Sequence, residues 1–88
     1  MRVIIQHQIH DPKVFQARAE NAFPLPDELT LHFFLPSRDF SQATCLYEAP
    51  SVERVRAHVD GVLGDCYTNS YHAVADAQAI GLPGRGAA

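Results

Sequence analysis

The amino-acid sequence predicts one α+β domain in which four strands and two helices follow each other in the order β-α-β-β-α-β. The chain has 88 residues, which is room for a single domain. Four segments show the β-branched content or the two-residue alternation that is typical of strands. Two further segments carry apolar residues at helical spacing. With 47% hydrophobic and 19% charged residues, the chain has the composition of a folded protein.

The first strand and the first helix are predicted from residues 2–9 and from the Asp11-Pro12 pair that follows them. Residues 2–9 are rich in β-branched side chains, which favour a strand. Asp11 is a typical N-cap, and Pro12 suits the first helical position because its fixed φ is helical and its missing N–H needs no partner. We expect this helix to end near Ala22, before Pro24.

The second half of the chain predicts a strand, a strand, a helix and a strand in that order. Residues 28–35 alternate between two faces and are predicted as the second strand, and residues 42–48 as the third. Ser51 is expected to cap a second helix that ends at Gly64. Residues 66–74 are predicted as the fourth strand.

Residues 1–76 are expected to form the domain, and residues 77–88 a flexible or partner-contacting tail rich in Gly, Pro and Ala. The apolar stretch at the N-terminus is too short for a signal peptide. No apolar run approaches the ~20 residues that a membrane-spanning helix needs. These observations lead us to expect a cytoplasmic protein with no membrane partner.

Charge and cysteine content argue against several classes of protein. The net charge is −3 and the seven Lys and Arg residues are scattered, whereas a nucleic-acid-binding protein shows a basic face. Cys45 and Cys66 form no Cys-x-x-Cys pair, so a zinc knuckle or a thioredoxin-type motif is unsupported. We expect both thiols to be reduced.

The predicted order gives the ferredoxin-like arrangement, an antiparallel sheet with both helices on one face, because crossovers are right-handed. We expect the fourth strand beside the first and the first beside the third. The residues assigned to the helix-covered face are Val3, Ile5, Leu29, Leu31, Phe33 and Cys45. The helix-free face also carries apolar residues, namely Ile4, Phe34 and Leu46, and so needs a cover. A second copy of the chain would supply it, which predicts a homodimer whose two sheets enclose a shared cavity; the alternative is a monomer with an exposed apolar patch.

Polar side chains among the apolar residues of the helix-free face predict a small-molecule pocket. They are Gln6, Gln8, His32 and Glu48, joined by one side of the last strand, which is either Tyr67, Asn69 and Tyr71 or Thr68, Ser70 and His72. The predicted ligand-binding residues are Gln6, Gln8, His32, Phe34, Glu48 and Tyr71.

Four residues have both a structural and a chemical interpretation. His32 is either a hydrogen-bonded core residue or a ligand or acid–base group. Glu48 either ends the third strand in solvent or faces His32, and such a pair would bind a metal or move a proton. His7 is expected to face the helices, either as a core residue or as a metal ligand. Cys45 is either a small apolar core residue or a metal ligand or nucleophile.

Two stretches of the sequence resemble a known family. They are Leu31-His32-Phe33-Phe34 and the run from Thr44 through Cys45, Leu46, Tyr47 and Glu48 to Ala49-Pro50. The family is one of small uncharacterised ferredoxin-like proteins of the dimeric α/β barrel group, some of which bind nickel. The resemblance implies a metal near His32, together with His7, Cys45 or Glu48. The chain differs at Gln6-His7, where those relatives carry adjacent histidines, and glutamine is a poor nickel ligand.

Three functions follow as hypotheses, in this order. The first is a small-ligand-binding homodimer with a partly apolar pocket. The second is a protein that binds nickel or another divalent metal, as the resemblance implies. The third is a cofactor-independent enzyme such as a monooxygenase or isomerase, which rests on analogy of fold.

Overall fold

A computed structural model describes residues 1–82 and shows the predicted order of elements. The strands are β1 (Arg2–Ile9), β2 (Thr30–Pro36), β3 (Gln42–Glu48) and β4 (Tyr67–Ala73), and the helices are α1 (Pro12–Ala19) and α2 (Val52–Leu63). A short 3-10 turn, Glu20–Ala22, continues α1. Among residues 1–82, no helix is both long and apolar enough to cross a membrane.

Both helices begin at the caps that the sequence predicts. The Asp11 side chain accepts a hydrogen bond from the Val14 N–H at 3.2 Å, and the Ser51 hydroxyl accepts one from the Arg54 N–H at 3.1 Å. Each cap gives a partner to an amide that the first turn of a helix leaves without one. Gly64 ends α2 with a φ of 64°, a conformation that costs glycine little.

The four strands form one antiparallel sheet in the order β2-β3-β1-β4. The central strand β1 places Ile5 opposite Cys45 of β3 and opposite Tyr71 of β4. The predicted neighbours, fourth beside first and first beside third, are confirmed, and the fold is ferredoxin-like α+β.

The main core lies between the sheet and the two helices, which share one face of it. Its buried members include Val3 and Ile5 of β1, Phe15 of α1, and Val55, Val59 and Leu63 of α2. Val3, Ile5 and Val55 have no measurable exposure. Burying an aliphatic side chain of this size contributes about 1.5–3 kcal/mol, so this layer accounts for much of the fold's stability.

A β-bulge at His32 changes which aromatic residue of β2 faces the helices. Leu31 lies opposite Tyr47 and Phe33 lies opposite Leu46, so His32 is the extra residue. Phe34 is therefore on the helix-covered side, and Phe33 is on the helix-free side. The assignment of Phe33 to the helices and of Phe34 to the other face was wrong, because it assumed unbroken alternation along the strand.

The centre of the helix-free face is covered by the chain itself. Leu46 is only 1% exposed although it points away from the helices. A groove on this face is lined by Ile4, Phe33 and Leu46 from the sheet, and by the segment 74–82 that follows β4. The first part of the predicted tail thus lies against its own sheet. Its remainder, residues 83–88, falls outside the described residues.

Candidate functional site

A cavity of about 120 Å³ lies between the helices and the sheet. Its apolar wall includes Phe15, Leu31, Phe34, Val59, Val62 and Leu63, and Phe23 also lines it. Phe23 is 55% exposed, so the cavity reaches the surface beside this ring. The side chains of His7, Cys45, Tyr47 and His58 complete the wall. A mainly apolar cavity with a few polar groups is the usual form of a small-molecule site.

His7 brings a thiol and an amide together at this cavity. The His7 ring is 4% exposed, and its Nε2 lies 3.3 Å from Cys45 Sγ. Its Nδ1 lies 2.6 Å from Asn69 Oδ1. The sheet register produces this geometry, since His7 sits in the central strand opposite Ala43 and Asn69, and Cys45 lies two residues from Ala43 on the same side.

The hydrogen bonds continue from Asn69 to the protein surface. Asn69 Nδ2 donates to the Tyr71 hydroxyl at 2.8 Å, and the Tyr71 hydroxyl donates to Asp60 Oδ1 at 2.7 Å. The Tyr67 hydroxyl donates to the same Asp60 oxygen at 2.6 Å. Asp60 is exposed on α2, so a chain of polar groups joins the buried thiol to an exposed carboxylate.

Burial keeps both members of the thiol–imidazole pair uncharged. It raises the pKa of the Cys45 thiol to about 12. It also lowers the pKa of His7 below 6.5, and the hydrogen bond with Asn69 only partly opposes this. At neutral pH the pair is a thiol beside a neutral imidazole, and the ring is held edge-on to Phe15 and Tyr67 at centroid distances of 5.4 and 5.9 Å.

His58 of α2 supplies a second imidazole to the cavity wall. Its Nε2 atom is buried and has no hydrogen-bond partner among residues 1–82. Burial and the neighbouring charge of Arg54 lower the pKa of His58, while a hydrogen bond to the backbone of Ala22 acts in the opposite direction. A buried polar atom without a partner is costly, and a ligand with a matching polar group would remove that cost.

On the helix-free face, His32 and Glu48 form the pair that the sequence suggested. His32 Nε2 donates to Glu48 Oε1 at 3.0 Å, and Arg2 Nε lies 3.7 Å from the same oxygen. The hydrogen bond from His32 lowers the pKa of the Glu48 carboxyl, and the charge of Arg2 adds to the effect. The Glu48 side chain is 47% exposed, so water reaches this pair.

The predicted ligand-binding residues do not form one site. Gln6, Gln8, His32 and Glu48 lie on the helix-free face, but Gln6 is four residues from Arg2, the β1 residue opposite Glu48, or about 13 Å along the strand. Gln6 instead accepts a hydrogen bond from the Thr44 hydroxyl at 2.9 Å. The other two predicted residues, Phe34 and Tyr71, face the helices because of the bulge and of the register of β4.

The four predicted metal ligands likewise separate into two pairs. His7 and Cys45 lie on the helix-covered side of the sheet, and His32 and Glu48 lie on the other side. Among residues 1–82, no group of three or more His, Cys, Asp or Glu side chains is arranged to hold a metal ion. The four side chains are therefore not brought together, and of the pairings with His32 that the resemblance implies, the one with Glu48 is present.

Asn69, Asp60 and His58 are the site residues that sequence reasoning missed. Asn69 was in one of the two alternatives for β4, and alternation alone did not choose between them. His58 carries a usable signal, because it follows Val55 by three residues and precedes Val62 by four, which is the spacing of a single helix face.

Comparisons with models of known protein families, with curated proteins and with solved structures find no significant match to this chain. The resemblance to the nickel-binding family thus gains support only for its fold.

Proposed function

We propose that the protein binds a small, largely apolar molecule in the cavity between its helices and its sheet. The observation that carries this proposal is the cavity of about 120 Å³ inside so small a domain. Natural cores contain few voids larger than a water molecule. A ligand that occupies the cavity would bury the apolar side chains of its wall, which contributes about 25 cal/mol for each Å² of apolar surface removed from water.

The unpaired Nε2 atom of His58 defines the polar feature of the ligand. If the ring donates through Nδ1 to the backbone of Ala22, Nε2 is left with its lone pair. A hydroxyl or an N–H group on the ligand would pair with it. An engineered cavity of about 150 Å³ admits benzene, so a molecule of that size is the appropriate class, with any longer portion leaving beside Phe23.

Titration with phenol and with benzene, followed by NMR chemical shifts of the full chain, tests this proposal. Both probes should bind, and phenol should bind about 10–100-fold more tightly because it supplies a partner for a buried acceptor. Ala19→Leu should abolish binding by filling the cavity. Ala17→Leu, at an exposed position of the same helix, should leave binding unchanged.

A second variant separates the polar contact from the cavity. His58→Leu should keep benzene binding and remove the preference for phenol. Failure of both probes to bind the unaltered chain, or binding that Ala19→Leu leaves intact, would refute the proposed site.

We also propose that the protein works as a homodimer through its helix-free face. The groove on that face contains apolar side chains of the sheet, and Ile80 beside it is 95% exposed. Leu35 of β2 is 58% exposed, which extends the apolar area toward the sheet edge. A second copy would bury these residues. Native mass spectrometry of the untagged chain should show a dimer that Ile80→Asp weakens, and a monomer at every concentration would contradict this proposal.

A further inference from the structure

Each hydrogen bond in the series that links Asp60 to Cys45 can be assigned one donor and one acceptor. The carboxylate of Asp60 accepts hydrogen bonds, so the Tyr71 hydroxyl gives its proton to Asp60 and accepts from Asn69 Nδ2. The carbonyl oxygen of Asn69 is then the atom that faces His7 Nδ1, at 2.6 Å. An oxygen of this kind only accepts, so Nδ1 of His7 carries the proton.

This direction fixes the tautomer of His7 at the cavity wall. With its proton on Nδ1, a neutral His7 presents the lone pair of Nε2 to Cys45 Sγ, 3.3 Å away. The thiol therefore donates to the imidazole. A nucleophile, a base beside it and a third group that orients the base are the parts that covalent catalysis requires, and a Cys-His-Asn set is one of its known forms.

We propose that Cys45 is the nucleophile and His7 the general base of an acyl-transfer reaction on small thioesters whose acyl group enters the cavity. The inference rests on the proposed function in one respect, because the acyl group occupies the same cavity. Asn69 and Tyr71 are positioning residues, since they hold the His7 tautomer without touching the reacting atoms.

The reaction conserves atoms and protons in two steps. Cys45 Sγ attacks the acyl carbon while its proton passes to His7 Nε2, and the leaving thiolate takes that proton as the carbon–sulfur bond to it breaks. Water then attacks the thioester formed on Cys45, gives a proton to His7 and releases the carboxylic acid, and the proton returns to Cys45 Sγ. Since burial raises the pKa of the thiol to about 12, Cys45 depends on His7 for activation at neutral pH.

The other cysteine of the chain is a built-in control. Cys66 is buried to a similar extent, with 5% exposure against 3% for Cys45. Its thiol donates to the backbone oxygen of Leu63 at 3.0 Å. A carbonyl oxygen does not accept a proton at neutral pH, so the hydrogen bond of Cys66, unlike that of Cys45, supplies no base. The charged group that interacts with the Cys66 thiol is the guanidinium of Arg18, which accepts no proton either.

The first test is acetylation of the full chain by S-methyl thioacetate, a thioester of about the size of benzene, followed by peptide mapping and by release of methanethiol. Cys45 should acetylate and turn over, and Cys66 should not. His7→Gln should slow acetylation at least about 100-fold, within the usual contribution of a general base. Acetylation of Cys66 at the rate of Cys45, or of neither cysteine, would overturn the proposal.

A second measurement does not depend on turnover. The ¹⁵N shifts of the His7 ring should show a protonated Nδ1 and an unprotonated Nε2 in the unaltered chain, and Tyr71→Phe should weaken that preference. A proton on Nε2 would overturn the proposal. If phenol fails to bind while Cys45 is still acetylated, the ligand proposal fails alone; if phenol binds and Cys45 stays inert, the acyl-transfer proposal fails alone.

Discussion

The two faces of the sheet each hold a histidine hydrogen-bonded to a neighbouring side chain, but the consequences differ. On the helix-covered face, His7 is 4% exposed and contacts Cys45 and Asn69. On the helix-free face, the His32 side chain is 19% exposed and contacts Glu48, whose side chain is 47% exposed. The same residue type is thus enclosed in one place and, together with its partner, partly exposed to water in the other.

The comparison shows that burial, rather than residue type, determines whether a polar pair is charged and whether water reaches it. Burial moves the pKa of His7 down and that of Cys45 up, so the enclosed pair is uncharged and hydrogen-bonded. On the open face, the hydrogen bond from His32 lowers the pKa of Glu48, and water screens the resulting pair. Within residues 1–82, only the enclosed pair lines the apolar cavity between the helices and the sheet.

The largest expected effect on stability comes from truncating a large side chain on the helix-covered face. Phe15 is 1% exposed and stacks on Phe34 at a centroid distance of 6.1 Å, so Phe15→Ala should lower the free energy of unfolding by about 3–5 kcal/mol. Phe33→Ala, at a half-buried position of the other face, should cost about 2 kcal/mol at most. Urea unfolding at low protein concentration measures both. Equal losses would show that the two faces are equally enclosed.

An intermediate effect should appear as a dependence of stability on pH. The pKa of His7 is lowered below 6.5 in the folded protein, so the unfolded chain binds more protons when the pH falls through this value. The free energy of unfolding should therefore be lower at about pH 5.5 than at about pH 7.5, a window that lies above the ordinary pKa range of carboxyl groups. Urea unfolding at the two pH values measures the difference.

Variants assign this dependence to the enclosed face. His7→Gln should reduce the difference, and the lowered pKa of His58 should account for part of what is left. His10→Gln is the matched control, because the His10 side chain is exposed at the end of the same strand. Stability that is equal at the two pH values, or greater at the lower one, would contradict the enclosed, neutral state of His7.

The smallest effect is expected on the open face. His32→Gln and Glu48→Gln, singly and together, should each shift the thermal unfolding midpoint by less than about 4 °C, because polar pairs that water reaches contribute little. Differential scanning calorimetry of the two single variants and the double variant checks this. A larger shift, or strong coupling between the two positions, would mean that this pair is enclosed in the working protein.

Sequence patterns were sufficient to predict the helices and strands and their order along the chain. The caps at Asp11 and Ser51 are local signals, and both are present. The bounds of β1, β3 and α2 agree with the prediction because each has an unbroken apolar period and a clear start. The side of the sheet that His7 takes followed from the same alternation.

The face of the sheet on which some side chains lie depends on contacts between distant parts of the chain, and sequence patterns did not predict it. Alternation along β2 was regular in the sequence, yet its pairing with β3 leaves His32 out of register and reverses Phe33 and Phe34. The side that Asn69 takes depends on the register of β4 against β1, which both alternatives for β4 allowed. A pairing register is a property of two strands, and no single segment contains it.

The bulge at His32 has a consequence for variation in chain length. Since Leu31 and Phe33 already lie opposite successive residues of β3, deletion of His32 would restore regular pairing and leave Phe33 and Phe34 on their present sides. Loss of one residue from the middle of β1 would move the side chains of half of that strand to the opposite face of the sheet. A histidine that pairs with Glu48 thus occupies a position of the sheet at which one residue can be lost without repacking the core.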